Sequence, residues 1–526
     1  MIFRKPFFIS RVTSLGLCYG GDFLGKMDSI RMDNRQFIKG MWATRAEDLI
    51  GENNVFLDTA IPGTLEINEG NVTLDLNGRI YSDKDDLHYS FDKIYGYSHS
   101  GLFIVLDKCY MTSRSMGAPG YEVEKYLVSR AFLIDDFSEF TSSGSEKIKA
   151  TGIKFSVDYF KNWFNIELPI VEDMNYPKDF SVTYTNQYFE TNTFVFLKGK
   201  YSLKIQRKVM FKNNIENGFD LEFNPFISIE TKDYRHESVE DLLQIANWAF
   251  KMNDFLTQSY GSYNYVEFHM EDEVNHYWSE REKDGMYLIH GPKYTGRLFF
   301  SQLSAINSKF KNSRLPLKRI KDIYGDLIRA WFENWDKLKY IVDLYYQNRI
   351  SSLDIETKVV NKIKILETYY DHFWSEEENT QNEIDPDLEN AIEKTVQWVK
   401  EQDFEDEVKK NLTKKINAKW EKRIYLTDKL KRILENLPDN LKNIFSEEDP
   451  NWREDSKFIE DYAIKLKNTR NYHTHGSNEA EIRLKSIEEL SLASDILDDV
   501  IYYLILGTMG LEDEQILDLP FLREKL

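Results

Sequence analysis

The stretch Thr469-Arg470-Asn471-Tyr472-His473-Thr474-His475-Gly476, near the end of the chain, brings together a guanidinium, a carboxamide and two imidazoles. The preceding segment, Phe458–Leu466, has apolar residues at helical spacing. Gly476 is a residue that commonly ends a helix in the left-handed conformation. The pattern therefore predicts a helix that ends at this polar stretch.

The positions on that helix decide which side chains can meet. Arg470 and His473 are three residues apart and share one face, whereas His475 falls about 140° round from Arg470 on an unbroken helix. If the helix loosens at Thr474, His475 can swing back toward Arg470. A purely structural explanation also stays open, because Arg and His side chains in a last helical turn interact favourably with the helix dipole and its free carbonyls.

Composition places the chain among folded proteins of more than one domain. It has 526 residues, of which 41% are apolar and 14% aromatic. Two cysteines, Cys18 and Cys109, exclude a disulfide framework and a four-cysteine zinc site, so we expect a cytoplasmic protein. No stretch reaches the length of a transmembrane helix, and we expect no membrane association.

The organisation predicted along the chain is α+β. Alternating apolar and polar residues in Thr64–Ile67 and Val72–Leu76 predict a β-hairpin, and Gly101–Leu106 is a candidate buried strand. Ser238, followed by Asp241 three residues later, predicts the start of a helix. We expect an N-terminal extension of uncertain status over 1–34, a β-rich domain over 35–300, a linker over 301–314 and a helical domain over 315–526. Seven helices are predicted in the last domain, at about 317–348, 353–374, 386–402, 404–422, 427–436, 453–473 and 486–509. A polar loop is expected at Leu437–Asn451, between two of these helices.

Charge is unevenly distributed. The net charge of −20 opposes nucleic-acid binding by the chain as a whole, but ten basic residues against two acidic ones occur between Lys409 and Arg432. Trp420 and Tyr425 in this basic run are suited to stacking on unpaired bases. A solvated helix face is the alternative interpretation. The residues predicted to bind RNA are Lys414, Lys415, Lys419, Lys422 and Arg423.

The histidines show no complete metal-binding pattern. His269, His276 and His290 are scattered, without a second ligand at metal spacing, and we interpret them as structural. His473 and His475 form half of a metal site, but a catalytic zinc needs a third ligand, and no neighbouring residue is an obvious donor. We therefore predict no metal and no cofactor.

The motif of Arg470 followed by His475, in the environment Asn468–Gly476, resembles the Arg…His motif of HEPN ribonucleases. It is most similar to the ApeA-like branch of bacterial anti-phage, abortive-infection proteins. Four segments resemble the β-rich N-terminal domain that accompanies such HEPN domains: Gly40–Trp42, Pro62–Ile67, Phe160–Trp163 and Ser238–Leu242. The resemblance implies a β-rich sensing domain followed by an all-α HEPN bundle.

The chemistry of RNA gives these residues roles. RNA carries its own nucleophile, the 2′-OH, so cleavage needs only a proton carrier and a cation. His475 suits the first role, and Arg470 suits the second because its guanidinium binds two phosphate oxygens. Asn471 is suited to hydrogen-bond the phosphate or fix an imidazole, and His473 is an auxiliary candidate.

The resemblance further implies a homodimer that cleaves RNA to a 2′,3′-cyclic phosphate and a 5′-OH. It implies cellular RNA as the substrate, with tRNA as one candidate, and an activating partner, phage-encoded or other, at the N-terminal domain. Two other classes of function stay open: a non-catalytic HEPN-like scaffold that binds RNA or a partner, and a ligand-sensing dimer. Glu367, on the helix predicted at 353–374, is either a residue that orients the site or a solvent-facing side chain, and the sequence favours the latter.

Overall fold

The computed structural model describes most of the chain, which divides into two compact units, Met1–Ile328 and Arg329–Leu526. The described residues are 35–49, 59–68, 71–80, 90–116, 122–134, 148–164, 170–175, 179–183, 193–214, 218–259, 261–269, 276–280, 286–290, 295–300, 315, 317–375, 386–420, 424–476 and 482–517. The expected N-terminal extension and the expected linker lie outside them. The first unit is rich in strands and the second is helical, so the predicted α+β class is confirmed.

Six antiparallel strands of the first unit close into a ring. They are β1 Gln36–Ala43, β2 Ile61–Asn68, β3 Asn71–Leu76, β4 Ser90–Ser98, β5 Phe103–Met116 and β6 Glu122–Ile134. Each pairs with two neighbours, in the order β1, β2, β3, β6, β5, β4 and back to β1. Closure pairs the backbone of every strand on both sides and encloses one apolar core.

The predicted hairpin is the β2–β3 pair, in which Asn68 lies opposite Asn71. Buried and partly exposed residues alternate along both strands, as the alternating sequence requires. The candidate buried strand is the start of β5, where Phe103 to Leu106 are buried. Both predictions are confirmed.

The fully buried indole of Trp42 lies at the centre of this ring. Gly96 is its cross-strand partner on β4, and Gly63 lies beside it on β2. A Cβ atom at Gly96 would overlap the six-membered part of the indole. These glycines therefore make room for the largest side chain of the core.

The sheet continues from β6 through six more described strands. In order of pairing they are β18 Thr295–Phe300, β15 Tyr263–His269, β8 Gly152–Val157, β13 Gly218–Thr231, β12 Tyr201–Asn214 and β11 Thr193–Phe196. Three separate described ladders pair β7 Lys149–Ala150 with β14 Glu237–Ser238, β9 Ile170–Asn175 with β10 Asp179–Thr183, and β16 His276–Glu280 with β17 Met286–His290. Short helices cover Ala46–Asp48, Lys232–Tyr234 and α1, Phe160–Trp163.

The long helix of the first unit, α2 Val239–Thr257, begins as predicted at Ser238, whose hydroxyl accepts a hydrogen bond from the backbone N–H of Asp241. Its C-terminal half carries a buried polar pair. The Tyr159 hydroxyl donates to the Asp254 carboxyl group, and the Tyr324 hydroxyl donates to Asn253 Oδ1 at 2.8 Å. Each aromatic hydroxyl therefore binds one oxygen of a side chain that has no access to water.

Nearly all of the described chain after residue 317 is helical. The helices are α3 Leu317–Ile320, α4 Tyr324–Glu333, α5 Trp335–Ile350, α6 Ile355–Phe373, α7 Pro386–Glu401, α8 Asp406–Trp420, α9 Leu426–Glu435, α10 Phe458–His475, α11 Ile487–Thr508 and α12 Asp513–Leu517. Within the helical unit, α6 packs against α5, α9, α10 and α11.

Two predictions about helix boundaries are wrong. The helix expected at 317–348 is divided into α3, α4 and α5. The break between α4 and α5 arises because Asn334 leaves the helical conformation and its amide donates to the Ala330 carbonyl. The loop expected at Leu437–Asn451 contains a 3-10 helix, Leu441–Glu447, because its few apolar side chains are buried.

A buried lysine joins three of the helices. The Lys362 ammonium group on α6 donates to the Ser494 carbonyl on α11 at 2.9 Å and lies 2.9 Å from Asp498 Oδ1. Arg349 on α5 binds the other oxygen of Asp498 at 3.0 Å. Burial lowers the pKa of Lys362, and the Asp498 carboxylate opposes that shift.

Of the helices in the described ranges, none combines the length and the apolar character needed to cross a lipid bilayer.

Gly96→Ala should destabilise the first unit. The added methyl group forces the Trp42 indole out of its position, and overpacking of this kind costs about 1–3 kcal/mol in the free energy of unfolding. Denaturant unfolding followed by tryptophan fluorescence measures the loss. Gly507→Ala, at a helical position with open space, is the control and should be neutral or slightly stabilising. A Gly96→Ala protein as stable as wild type would contradict the packing described for Trp42.

Asp254→Asn should change how stability depends on pH. Burial raises the pKa of Asp254 well above its usual range, and the neighbouring Asp158 acts in the same direction. The Asp254 carboxyl group therefore holds its proton more tightly in the folded state than in the unfolded state. Its contribution to the free energy of unfolding falls as pH rises above the pKa of an ordinary aspartate. The asparagine variant should lack this fall when unfolding is compared at about pH 5 and about pH 8. Glu240→Gln, an exposed acid on the same helix, is the control; identical pH dependence in all three proteins would refute the assignment.

Candidate active site

The predicted polar stretch lies at the C-terminal end of α10. Residues at helical spacing bury one face of α10 against α6 and α9: Phe458, Tyr462, Ala463, Leu466 and Thr469. Gly476 ends the helix in the left-handed conformation, with φ 64° and ψ 24°, and its N–H donates to the Tyr472 carbonyl. The predicted stop is therefore confirmed.

The helix does not loosen at Thr474, because α10 is continuous to His475. His475 accordingly stays about 140° round from Arg470 on the helix surface. The arrangement in which His475 swings back toward Arg470 does not occur. Within the described residues, no hydrogen bond or ion pair joins the Arg470 and His475 side chains of the same chain.

Thr469 and Asn468 hold the end of α10 against the returning chain. The buried Thr469 hydroxyl donates to the Lys465 carbonyl and accepts from the Leu484 N–H at 2.9 Å. The Asn468 amide donates to the Ile482 carbonyl at 2.9 Å. These bonds keep the last turns of α10 ordered, so the residues between them and Gly476 stand on a fixed backbone.

Arg470 is bound by a residue of another helix. Its Nη2 atom lies 3.3 Å from Oε2 of Glu367 on α6, and each side chain is 26% exposed. Its Nη1 atom donates to Oδ1 of Asn471 at 3.3 Å. The structure thus brings Arg470 and Asn471 together, and it adds Glu367 to them.

The solvent-facing position that the sequence favoured for Glu367 is wrong. Glu367 follows Ile363 by four residues and precedes Tyr370 by three, so it shares a helix face with two buried residues. That spacing is the signal that places it at the edge of the packed stripe, within reach of α10.

The two imidazoles are exposed. The ring of His473 contacts the Tyr472 ring edge-on, with 5.1 Å between the ring centroids. The Arg483 guanidinium lies over the same Tyr472 ring, 3.4 Å from its centroid. His473 also lies within electrostatic reach of Asp354, which caps α6. Hydrogen bonds from Thr357 lower the pKa of Asp354, and His473 contributes in the same direction.

A shared metal ion does not fit these two histidines. Residues two apart on a continuous helix point about 200° away from each other, so both rings cannot bind one ion. In the described part of the chain, no group of three His, Cys, Asp or Glu side chains is arranged to hold a metal.

The basic run divides into two parts with different surroundings. Beyond Tyr425 its cations are engaged within the bundle: Lys429 with Asp371, Lys431 with Glu460 and Arg432 with the Tyr370 hydroxyl. On α8, by contrast, the Lys410, Lys414 and Lys415 side chains are exposed. The side chain of Lys419, also on α8, and residues Lys422 and Arg423 lie outside what the structure describes.

Comparison with known families covers both units. Residues 38–331 match ApeA N-terminal domain 1, and residues 360–515 match the Apea-like HEPN domain. No curated protein and no solved structure matches the chain. The first match alone spans more than half of the 526 residues and covers nearly all of the strand ring around Trp42. The second covers most of α6 and all of α10, including the Arg470–His475 stretch. The chain therefore belongs to the ApeA family, with an ApeA N-terminal domain 1 followed by an Apea-like HEPN domain.

Proposed function

We propose that this chain is a metal-independent endoribonuclease that cleaves cellular RNA during an abortive response to phage infection. At the level of the family, the Apea-like HEPN domain supports an RNase-type activity and an anti-phage role. The observation that carries the proposal is the C-terminal end of α10, where Arg470 is held by Glu367 and two exposed imidazoles follow within five residues.

Each residue has a role that its surroundings support. The exposed His475 imidazole exchanges protons with the 2′-OH or the leaving 5′-oxygen, since imidazole is the side chain that most often serves as a general acid or base. Arg470 binds the phosphate, whose negative charge increases in the transition state. Asn471 accepts from Arg470 through its carbonyl oxygen, which leaves its amide N–H groups to donate to the phosphate. His473 assists as a second, exposed imidazole.

The same geometry favours a homodimer. The continuous helix keeps His475 away from Arg470 of its own chain, yet cleavage needs the cation and the proton carrier at one phosphate. A twofold pairing of the C-terminal ends of α10 supplies His475 of one chain to Arg470 of the other. HEPN domains commonly dimerise and bind RNA.

The remaining assignments concern substrate and control. The exposed lysines of α8 give an acidic chain a local surface that attracts phosphates. We assign sensing to the ApeA N-terminal domain, where a phage-encoded or other partner binds and activates the enzyme in the cytoplasm. Cellular RNA, with tRNA as one candidate, is the substrate.

A second candidate is a non-catalytic scaffold, and the Arg470–Glu367 ion pair favours it, because the pair also ties α6 to α10. RNA cleavage in the presence of EDTA, lost on changing His475 alone, separates the two functions. A scaffold binds RNA without cleaving it.

Arg470→Ala and His475→Ala should each remove most RNA cleavage without unfolding the protein. A general acid or base commonly contributes about 10²–10⁴-fold to the rate, and His475 is exposed, so its loss removes little packing. Cleavage of RNA in EDTA, with circular dichroism as the test of folding, measures both effects. His473→Ala is the matched control on the same helical turn and should lose less activity. Near wild-type cleavage by His475→Ala would refute its assignment.

Reversal of Lys410, Lys414 and Lys415 to Glu should weaken RNA binding and flatten its salt dependence. Fewer counterions are released when fewer cations contact phosphates, and each lost contact changes the logarithmic salt slope by about 0.7 for a single strand. Binding of a labelled RNA across a salt series measures the slope. Lys394→Glu with Lys400→Glu, exposed on the neighbouring α7, is the control and should leave the slope nearly unchanged. Equal effects of the two variants would show that the α8 lysines form a solvated helix face and not an RNA-binding surface.

A further inference from the structure

The Glu367–Arg470 ion pair joins the proposed active site to a helix that carries none of its other proposed catalytic residues. We propose that Glu367 is a positioning residue for RNA cleavage: its carboxylate orients the Arg470 guanidinium toward the scissile phosphate. This inference rests on the proposed function and adds a role on α6 to it.

The geometry of the guanidinium supports this role. Glu367 accepts from Nη2 and Asn471 accepts from Nη1, both at 3.3 Å, so one acceptor lies at each terminal nitrogen. An arginine has five N–H donors in one plane, and these two contacts define the orientation of that plane. Three N–H donors of the guanidinium remain beyond these two contacts, and arginine N–H groups bind phosphate oxygens in pairs.

Partial burial distinguishes the Glu367–Arg470 contact from the two imidazoles. Both side chains are about three-quarters removed from solvent, whereas the imidazoles beyond them are exposed. An arginine has many side-chain rotamers, and freezing them during the reaction costs free energy, so a carboxylate that freezes them beforehand lowers the barrier. Arg470 is therefore the pre-oriented member of the site, and the histidines are the accessible members.

The backbone on both sides of the contact is also fixed. Lys362, five residues before Glu367, ties α6 to α11, and the Thr469 hydroxyl ties α10 to Leu484 beside Arg470. Because neither helix can slide without breaking buried hydrogen bonds, the carboxylate and the guanidinium meet at a reproducible place. This is the arrangement that a positioning residue requires.

α6 provides a matched control for the test. Asp371, one turn after Glu367, forms an ion pair with Lys429 of α9 at 2.6 Å and does not contact Arg470. Asp371→Asn therefore removes an ion pair from the same helix without changing the guanidinium of the site. A role that is merely structural predicts similar effects of Glu367→Gln and Asp371→Asn.

Steady-state RNA cleavage by Glu367→Gln, Glu367→Asp and Asp371→Asn tests the inference. Glu367→Gln should lower kcat by up to about 100-fold, and its KM should rise no more than that of Arg470→Ala, because the rest of the RNA still binds while Arg470 is misplaced. Glu367→Asp, which keeps the charge, should recover part of the activity, and Asp371→Asn should cleave like wild type. Unfolding should be similar for the two amide variants. Wild-type kcat in Glu367→Gln overturns the inference, and if Arg470→Ala is inactive in the same assay, the proposed function stands without it.

Binding of a 2′-deoxy oligonucleotide, which lacks the nucleophile, tests the inference without catalysis. Arg470→Ala should weaken this binding, and Glu367→Gln should weaken it as well. Asp371→Asn should bind like wild type. If wild type cleaves no RNA, the proposed function fails and this comparison still decides the positioning role. Equal binding by wild type and Glu367→Gln, with weaker binding by Arg470→Ala, overturns it.

Discussion

The helical unit depends on the contacts of one buried group, the ammonium group of Lys362. A buried charge without partners costs several kcal/mol, so α6 is held where Ser494 and Asp498 of α11 can bind that group, and Arg349 of α5 completes the set. Glu367 lies about 140° round α6 from Lys362 and faces α10 instead. The same helix is thus anchored on one side by a buried cation and presents, on the other, the carboxylate that binds Arg470. α6 therefore contributes both to the packing of the helical unit and to the proposed active site.

The ring of strands in the first unit shows a different use of packing. Trp42 fills its centre because Gly63 and Gly96 have no side chains, and these positions fall partly within the segments by which the sequence resembles the ApeA N-terminal domain. Such residues define the architecture of the domain.

Local patterns predicted the elements well and the contacts between them poorly. The β2–β3 hairpin, the helix start at Ser238 and the end of α10 at Gly476 all follow from short-range alternation and capping, which a sequence displays directly. The break at Asn334 involves a bond between its side-chain amide and the Ala330 carbonyl, which apolar periodicity does not display. The partner of Glu367 is distant in sequence. The Arg470–Asn471 contact joins neighbouring residues, but Glu367 is 103 positions away, and periodicity alone placed it only at the edge of a buried stripe.

We propose that two chains share one active site, because α10 holds Arg470 and His475 apart within each chain. Mixing an Arg470→Ala chain with a His475→Ala chain, each inactive alone, and measuring RNA cleavage tests it directly. If Arg470 of one chain works with His475 of the other, random pairing should restore about a quarter of wild-type activity, since half of the dimers are mixed and each mixed dimer has one intact site. No recovery, although sedimentation or tagged purification shows that mixed dimers form, would contradict the shared site.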